Sequence, residues 1–580
     1  MPGPYIGFPA LVFPRCNIAE NVLNYNKTLT LEVPTMEKNR WYKDMVFYQI
    51  WPRSFCDGNG DGIGDLEGVL SRLDYLKYLG VDGIWFSPLY ASPNADMGYD
   101  ISDYYSINPE YGTMEQFKAV LDGAHARGMK VIMDLVVNHT SDEHPWFIAS
   151  KDKNSPYRDY YFWREGKRRP NNWSSLFEGK AWEWDSEANA WYLHIFAKKQ
   201  PDLNMDNPKV RREVKNIMRF WLDMGVDGFR EDVITFISKR HGLPNGLPIP
   251  SACGMEHYMD GPNVHKYLRE FRQVLNEYDC FVVGEAPMMN EKNALKYITE
   301  GPKQELDMMF HFEHMEADCL FLDALQTPFD LRKLKKAFSK WQYALADKGW
   351  NALYLENHDH PRIISRYGSE QYRVVSGKML ANCFMLQRGT PFIYQGQEIG
   401  MVNINLPDPD DYQDVQTINN TRTLRLLGMS EKKAAERISR TARGNARTPV
   451  QWDDSPNAGF TTGTPWMPIN PNYTQINAEA ALADPDSVFH YYRKLIELRK
   501  AHDVFRSGWF ELLDPENEKV FAYTRDTESE HLLVVCNFSC EHLPFEVPER
   551  FHGCEMLIGN YSDGEPGLRP YEAAMLYYEN

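Results

Sequence analysis

From about residue 45 the chain alternates short apolar runs with longer stretches in which apolar residues recur every three or four positions. Eight runs stand out: MVFYQIWPRSF (45–55), VDGIWFSPLY (81–90), KVIMDLVVNH (130–139), VDGFREDVI (226–234), CFVVGEA (280–286), LDMMFHFE (306–313), NALYLENHD (351–359) and TPFIYQGQEIG (390–400). Runs of this kind read as strands covered on both faces. Between them, DLEGVLSRLDYLKYLG (65–80) sets Leu66, Val69, Leu70, Leu73, Leu76 and Leu79 on one helical stripe that stops at Gly80. MEQFKAVLDGAHARG and RREVKNIMRFWLDMG repeat the arrangement, each ended by a glycine. Strands alternating with amphipathic helices predict a parallel sheet, and eight such units predict a (β/α)8 barrel with its active site at the C-terminal strand ends. An open doubly wound sheet is the competing topology, but no G-x-G-x-x-G follows the first strand.

The rhythm breaks in three places. The stretch 139–206, rich in Trp, Tyr, Lys and Asn, is too long for a strand-to-helix loop and predicts a small domain inserted after strand three. A second break, roughly 401–455, carries the charged helix SEKKAAERISR. Beyond 505 the helical period gives way to FAYTRD, HLLVVCNFS and YEAAMLYYEN, which predict an antiparallel β-sandwich over 505–580. The barrel then occupies 36–138 and 207–504. Residues 1–35 have no cationic start and prolines break their apolar part, so they read poorly as a signal peptide. They are expected to be a disordered extension or an upstream mis-called start.

Composition narrows the chemistry. A net charge of −18 disfavours nucleic acid and anionic membrane surfaces as partners, and no apolar run is long enough to span a bilayer. Nine scattered cysteines without a C-x-x-C pair disfavour a disulfide framework or zinc site and suit a cytoplasmic chain. A monomer or weak homo-oligomer without an organic cofactor is expected.

The informative residues lie at strand ends. Strand three ends in Asn138-His139, strand four in Arg230 and Asp232, strand five in Glu285, and strand seven in His358-Asp359. In a barrel these converge on one mouth. Paired carboxylates flanking an acetal carbon are what glycoside hydrolysis needs, one as nucleophile and one as acid and base. Along an extended strand Arg230 and Asp232 share a face while Glu231 turns away, so Arg230 is expected to hold Asp232 ionised. Glu285 follows an apolar run, where burial would raise its pKa and suit a general acid. Asp359 could stabilise an oxocarbenium-like transition state. Metal-dependent hydrolysis is the rival for clustered Asp and His, but His139 and His144 form only a loose pair without a third ligand. A different metal signal is DGNGDGIGDL (57–66), in which Asp57, Asn59, Asp61, Ile63 and Asp65 fall at alternate positions, as in an oxygen-lined calcium loop. The loop lacks the glutamate at position twelve, where Gly68 stands. A structural Ca2+ is expected there.

GFREDVI, VVGEA and ENHDHPR, with DLVVNH before them, resemble the signature segments of the α-amylase superfamily of retaining α-glycosidases. YQIWPRSF, DGIGDLEG, MGYDISDY, KKQPDLN, GTPFIYQGQEIGM and NARTPVQW are similar to its oligo-1,6-glucosidase and dextran glucosidase group, and the likeness runs from about residue 38 to the end. The resemblance implies Asp232 as nucleophile, Glu285 as acid/base and Asp359 as transition-state stabiliser. It further implies Asp96, Tyr99, His139, Arg230, His358 and Arg447 as ligands of the terminal glucose, with Phe177, Phe196 and Gln200 as walls. An Asp96–Arg447 pair would close the pocket floor and enforce exo-cleavage. In this group a valine after the nucleophile accompanies α-1,6 cleavage, so Val233 implies isomaltose-type substrates. Glu231, Met205, His360 and Gly444 depart from the usual residues, and Met205 or His360 could alter preference for the leaving sugar. The alternatives are an α-1,4-glucosidase, a sucrose isomerase, a trehalose-6-phosphate hydrolase and, remotely, a non-catalytic heavy-chain-like subunit of an amino-acid transporter. The R-x-D-R-D run of sucrose isomerases is absent after strand six.

Overall fold

Each of the eight apolar runs becomes a strand of one parallel sheet in the computed structural model, which describes residues 40–177, 179–249, 252–320, 325–562 and 566–580. The strands are β1 Phe47–Ile50, β2 Gly83–Phe86, β3 Lys130–Leu135, β4 Gly228–Glu231, β5 Phe281–Ala286, β6 Met308–His311, β7 Ala352–Leu353 and β8 Thr390–Tyr394. Their spatial order is β6-β5-β4-β3-β2-β1-β8-β7. A parallel bridge between Met309 and Asn351 joins the two ends and closes the barrel. The extension expected over 1–35 lies outside the described residues.

The connecting helices follow their sequence signals. Thr113 and Gln116 form a capping box for Met114–Ala126, and Asn207 caps Pro208–Asp223 through the Lys209 N–H. The stripe 65–80 is not one helix. Arg72 leaves helical geometry (φ −106°, ψ 5°) and divides it into Leu66–Ser71 and Leu73–Leu79, with Asp65 as N-cap of the first and left-handed Gly80 ending the second.

Alternation along the strands fills the lumen. Phe47 of β1, Trp85 of β2, Ile132 of β3, Phe281 and Val283 of β5, Met308 and Phe310 of β6 and Phe392 of β8 form one buried apolar cluster. Their outward-pointing neighbours, such as Val131, Met133, Phe229 and Val282, belong to the larger core under the helices. Both faces of every strand are therefore covered, as continuous apolar runs require.

The insert after β3 carries a three-stranded antiparallel sheet built from Trp163–Arg164, Trp182–Asp185 and Ala190–Leu193. It does not bury its apolar side alone. Trp173, Trp182, Leu193 and Ile195 pack with Phe236, Leu243, Met255 and Tyr258, which come from the long connection after β4. That connection was not recognised from sequence as part of the lobe, because it has no apolar period of its own.

After the barrel, β9 Trp509–Leu513, β10 Val520–Asp526, β11 Glu530–Asn537, β12 Glu555–Gly559 and β13 Ala573–Glu579 form an antiparallel sheet in the order β9-β10-β11-β13-β12. One face joins the main core through Phe521, Tyr523, Leu532 and Val534. The other is covered by Leu543, Phe545, Val547 and Phe551, so the second layer of the expected sandwich is an irregular segment whose regular pairing is the bridge Leu543–Leu568. Two buried cations fasten the sheet to the barrel. Lys335 donates to the carbonyls of Asp514, Asn517 and Val520, and Arg525 donates to those of Leu386, Val504, Phe505 and Gly508. Burial lowers the Arg525 guanidinium to about 9.

Candidate active site

The lumen alternation, continued one layer towards the C-terminal ends, delivers the polar site. Asp134 lies two residues beyond Ile132, Glu285 two beyond Val283, and Arg230 stands on the inward side of β4. Arg230 Nη1 donates to Asp134 Oδ1 at 2.8 Å and to Asp232 Oδ1 at 2.7 Å, while Nη2 lies 2.9 Å from Glu285 Oε1. Its guanidinium rests over the Trp85 ring, 5.3 Å from the centroid. One cation thus joins three carboxylates from three strands, all buried. Asp232 and Glu285 thus sit on neighbouring nitrogens of one guanidinium, close enough for each negative charge to act on the other.

This electrostatic arrangement corrects the expectation that Arg230 keeps Asp232 in the ordinary carboxylate range. Burial pushes Asp232 well up and exceeds the pull of Arg230, whose single charge is divided among three acids. Burial likewise raises Glu285, and it raises Asp134 to about 7. The three acids are therefore coupled through one guanidinium, and Asp232 and Glu285 titrate as a pair. Glu285 Oε2 accepts the Val233 N–H at 3.0 Å. Val233 can make that contact because it adopts a left-handed conformation (φ 34°, ψ 40°), a strained state for a β-branched residue. Glu231 does point away from the mouth. It is buried outside the barrel wall, neither carboxyl oxygen has a hydrogen-bond partner among the described residues, and burial raises it to about 8.

A second network begins at Asp359. His358 Nε2 lies 3.0 Å from its Oδ2 and 2.7 Å from the Tyr99 hydroxyl, which donates to Asp134 Oδ2. The Gln49 amide nitrogen donates to His358 Nδ1 at 2.8 Å, which leaves the ring proton on Nε2. Burial lowers His358 to about 4, so the ring is neutral near pH 7. Burial alone would raise Asp359, but His358, Arg443 and Arg447 hold it well below the usual carboxylate range. Its side chain is 26% exposed against 9% for Asp232 and 6% for Glu285, so the site opens on the Asp359 side.

The pocket wall joins the same network. Gln200 Nε2 donates to Asp96 Oδ2 at 3.0 Å and lies 3.1 Å from His139 Nε2. The His139 ring packs 5.1 Å from Phe196, and Phe196 meets Phe177 edge to face at 5.4 Å. All thirteen catalytic and substrate-contact candidates therefore lie in one connected cluster, but one pairing differs from expectation. Asp96 Oδ1 accepts from Arg443 Nη2 at 2.9 Å, not from Arg447. Arg447 donates to Asp359 Oδ1 at 3.0 Å and to the His358 carbonyl at 2.9 Å, with its guanidinium over Trp51. Arg443 also reaches Asp359 Oδ1 at 3.1 Å and lies over the Phe177 ring. The two arginines stand four residues apart in a segment without apolar period, so nothing in the sequence distinguished their reach. Asp134 was also missed, although a lone acid inside VIMDLVV was a visible signal. Asp414, buried between both arginines, left none.

Met205 does not reach the mouth; it is buried in the main core. His360 packs against Phe312 at 5.4 Å and lies near Arg366. His144 caps the helix Pro145–Ser150, and the pair with His139 forms no metal cluster among the described residues.

The 57–65 loop lies outside this network. Asp57 accepts the Gly60 and Gly62 N–H groups, Asn59 that of Asp61, Asp61 that of Ile63, and Asp65 those of Gly58, Asn59 and Gly68. Gly62 has φ 97°, and a Cβ there would lie 1.8 Å from the Thr464 carbonyl, so the loop is pressed onto the 460–466 segment. The available donors are all oxygen, which suits a hard cation such as Ca2+, although the three carboxylates do not converge within 4.8 Å.

The profile of the alpha-amylase catalytic domain matches residues 49–508, and that of the maltogenic amylase C-terminal domain matches 510–560. The chain belongs to the alpha-amylase family. This alpha-amylase family chain is 52% identical to an oligo-1,6-glucosidase of Parageobacillus thermoglucosidasius, over 92% of its own length and 98% of the relative's. It is 45% identical to the trehalose-6-phosphate hydrolase of Bacillus subtilis (strain 168), over 93% and 98% of the two chains. Among solved structures, the isomaltulose synthase of Klebsiella sp. LX3 superposes with a TM-score of 0.89 at 42% identity, covering 93% of this chain and 99% of that one.

Proposed function

We propose that this chain is an exo-acting, retaining α-glucosidase that releases glucose from the non-reducing end of isomaltose and isomalto-oligosaccharides. The observation that carries the mechanism is that one guanidinium grips both acids, Nη1 at 2.7 Å from Asp232 Oδ1 and Nη2 at 2.9 Å from Glu285 Oε1. Retaining glycosidases keep their two carboxyls about 5–5.5 Å apart, whereas inverting ones need about 6.5–9.5 Å for an intervening water. Two acids held by neighbouring nitrogens of one guanidinium suit the shorter class. In this reading Asp232 attacks the anomeric carbon as Glu285 passes its proton to the departing glycosidic oxygen. The C–O bond breaks and a glucosyl–Asp232 ester forms. Glu285, now ionised, takes a proton from water, which attacks the anomeric carbon, breaks its bond to Asp232 and frees both glucose and the carboxylate. Arg230 fixes both carboxyls, and Asp359, ionised at the open side, stabilises the oxocarbenium-like state and accepts sugar hydroxyls. Asp96, Arg443, Gln200 and His139 close the far side, which favours cleavage one glucose at a time.

The α-1,6 preference rests on Val233 and on relatives named oligo-1,6-glucosidase at 49–52% identity. Hydrolysis of isomaltose, maltose, sucrose and trehalose-6-phosphate by the same preparation tests it. Faster turnover of maltose or trehalose-6-phosphate than of isomaltose sinks the linkage, and undiminished activity in Asp232→Asn sinks the mechanism. We also place Ca2+ on Asp57, Asn59, Asp61, Asp65 and the Ile63 carbonyl, where it would order the loop without joining the reaction. A chelator should lower Tm and added Ca2+ restore it; an unchanged Tm removes the ion. A cytoplasmic enzyme, a monomer or weak homo-oligomer, completes the proposal, and the free thiols of the described cysteines support the reducing compartment.

A further inference from the structure

We propose that Asp414 is a positioning residue for Asp359, acting through the two arginines that hold it; this rests on the α-glucosidase reading above. Asp414 is buried where the 401–455 segment meets the barrel mouth, and its two oxygens do different work. Oδ2 caps the helix Val415–Leu426, accepting the Thr417 N–H at 2.8 Å and its hydroxyl at 2.6 Å. Oδ1 accepts Arg443 Nε at 2.6 Å and lies 3.4 Å from Arg447 Nη1. Each arginine is thereby held from one side by Asp414 and presents another nitrogen to Asp359 Oδ1, while Arg443 also serves Asp96.

The charges explain why a third carboxylate is needed. Without it, two guanidinium groups would face Asp359 and Asp96 alone and collapse onto the Asp359 oxygens that must accept sugar hydroxyls. With it, the cations are shared and their distance from Asp359 is set by a rigid helix terminus. Gly444, next to Arg443, fixes the geometry from the segment that carries both arginines. A Cβ there would lie 2.4 Å from the Tyr412 ring, so the ring seats directly on the backbone beside Arg443, two residues before Asp414. The same helix reaches the opposite wall of the pocket, because Asn419 donates to the Phe177 carbonyl at 2.6 Å.

Asp414→Asn separates the two roles, since asparagine caps a helix about as well as aspartate but carries no charge. On p-nitrophenyl α-glucoside, whose cleavage does not depend on linkage preference, kcat should fall ~100-fold while KM changes less than ~5-fold. Thr417→Val, which weakens the cap and spares the charge, should keep kcat within ~3-fold of wild type. Asp414→Ser, a second uncharged capping residue, should lose kcat as the Asn variant does. A kcat within threefold of wild type in Asp414→Asn overturns the proposal. So does a loss of kcat in Asp414→Asn and Asp414→Ser that comes with a collapse of Tm, because the carboxylate would then hold the fold and not the site. Wild-type cleavage of the glucoside, abolished by Asp232→Asn, tests the underlying reading separately.

Discussion

Glu231 sits beside the proposed nucleophile, yet on the other side of the barrel wall. Its carboxyl is fully buried with no hydrogen-bond partner among the described residues, and burial pushes its pKa from 4.5 to about 8. Burial is the first cause; the Arg272 charge pulls the other way but is occupied by Asp307, which it grips through two hydrogen bonds. For an acid raised on folding, the folded state binds more protons than the unfolded state between pH 4.5 and 8. Stability is therefore greatest below about pH 4.5 and drains as pH rises towards 8. At pH 7 the gap of about 2.5 units corresponds to about 3 kcal/mol, because one unit is worth 1.36 kcal/mol. Glu231→Gln removes the titration while keeping the shape. Unfolding entropy of about 2.1 cal/mol/K per residue, over the unit from Trp41 to Asn580, converts this to a gain in Tm of about 3 °C at pH 7. The gain should be below about 1 °C at pH 5 and near 4 °C at pH 8. Scanning calorimetry of both proteins across this range is the assay. A Tm difference that does not change with pH, or a variant less stable at pH 8, would show that the carboxyl is paired or already ionised.

Other outcomes follow from the same geometry. Burial raises both Asp232 and Glu285, so the acid limb of kcat/KM should have its midpoint above the ordinary carboxylate range, which centres near pH 4; a midpoint below that range contradicts the dominance of burial over the Arg230 charge. Val233→Thr keeps the branched shape but exchanges a methyl for a hydroxyl, and the ratio of maltose to isomaltose turnover should rise by about tenfold. An unchanged ratio removes Val233 from the choice of linkage. Gly444→Ala forces its Cβ against Tyr412, which should cost about 1–3 kcal/mol and lower Tm accordingly. A variant as stable as wild type would mean the Tyr412 ring can move aside.

Much of the barrel and its carboxylates was legible because both depend on local period. A strand alternates with period two whatever surrounds it, so placing Arg230 and Asp232 on one face required only the sequence between them. The same rule sent Glu231 outward but could not say what awaited it. In a parallel barrel the outward side is another interior, and an acid there is buried, not hydrated. The choice between Arg443 and Arg447 depended on a segment whose path is set by long-range contacts, with Asp414 and the Tyr412 ring as its fixed points. The insert after β3 shows a related limit: it completes its core with residues contributed after β4, a partnership that periodicity cannot announce.

Lys335 and Arg525 give the C-terminal sheet a meaning beyond its contact area. Among the described residues neither cation has a carboxylate in salt-bridge contact; each is bonded by peptide oxygens supplied across the boundary between sheet and barrel. Those oxygens take the place of a hydration shell, and the shell is divided between two regions of chain. Parting the regions would strip both cations of the oxygens that fix them and bare the apolar boundary to water. Trimming the chain before β9 is therefore expected to destabilise the barrel, and the two regions are expected to melt in a single cooperative transition.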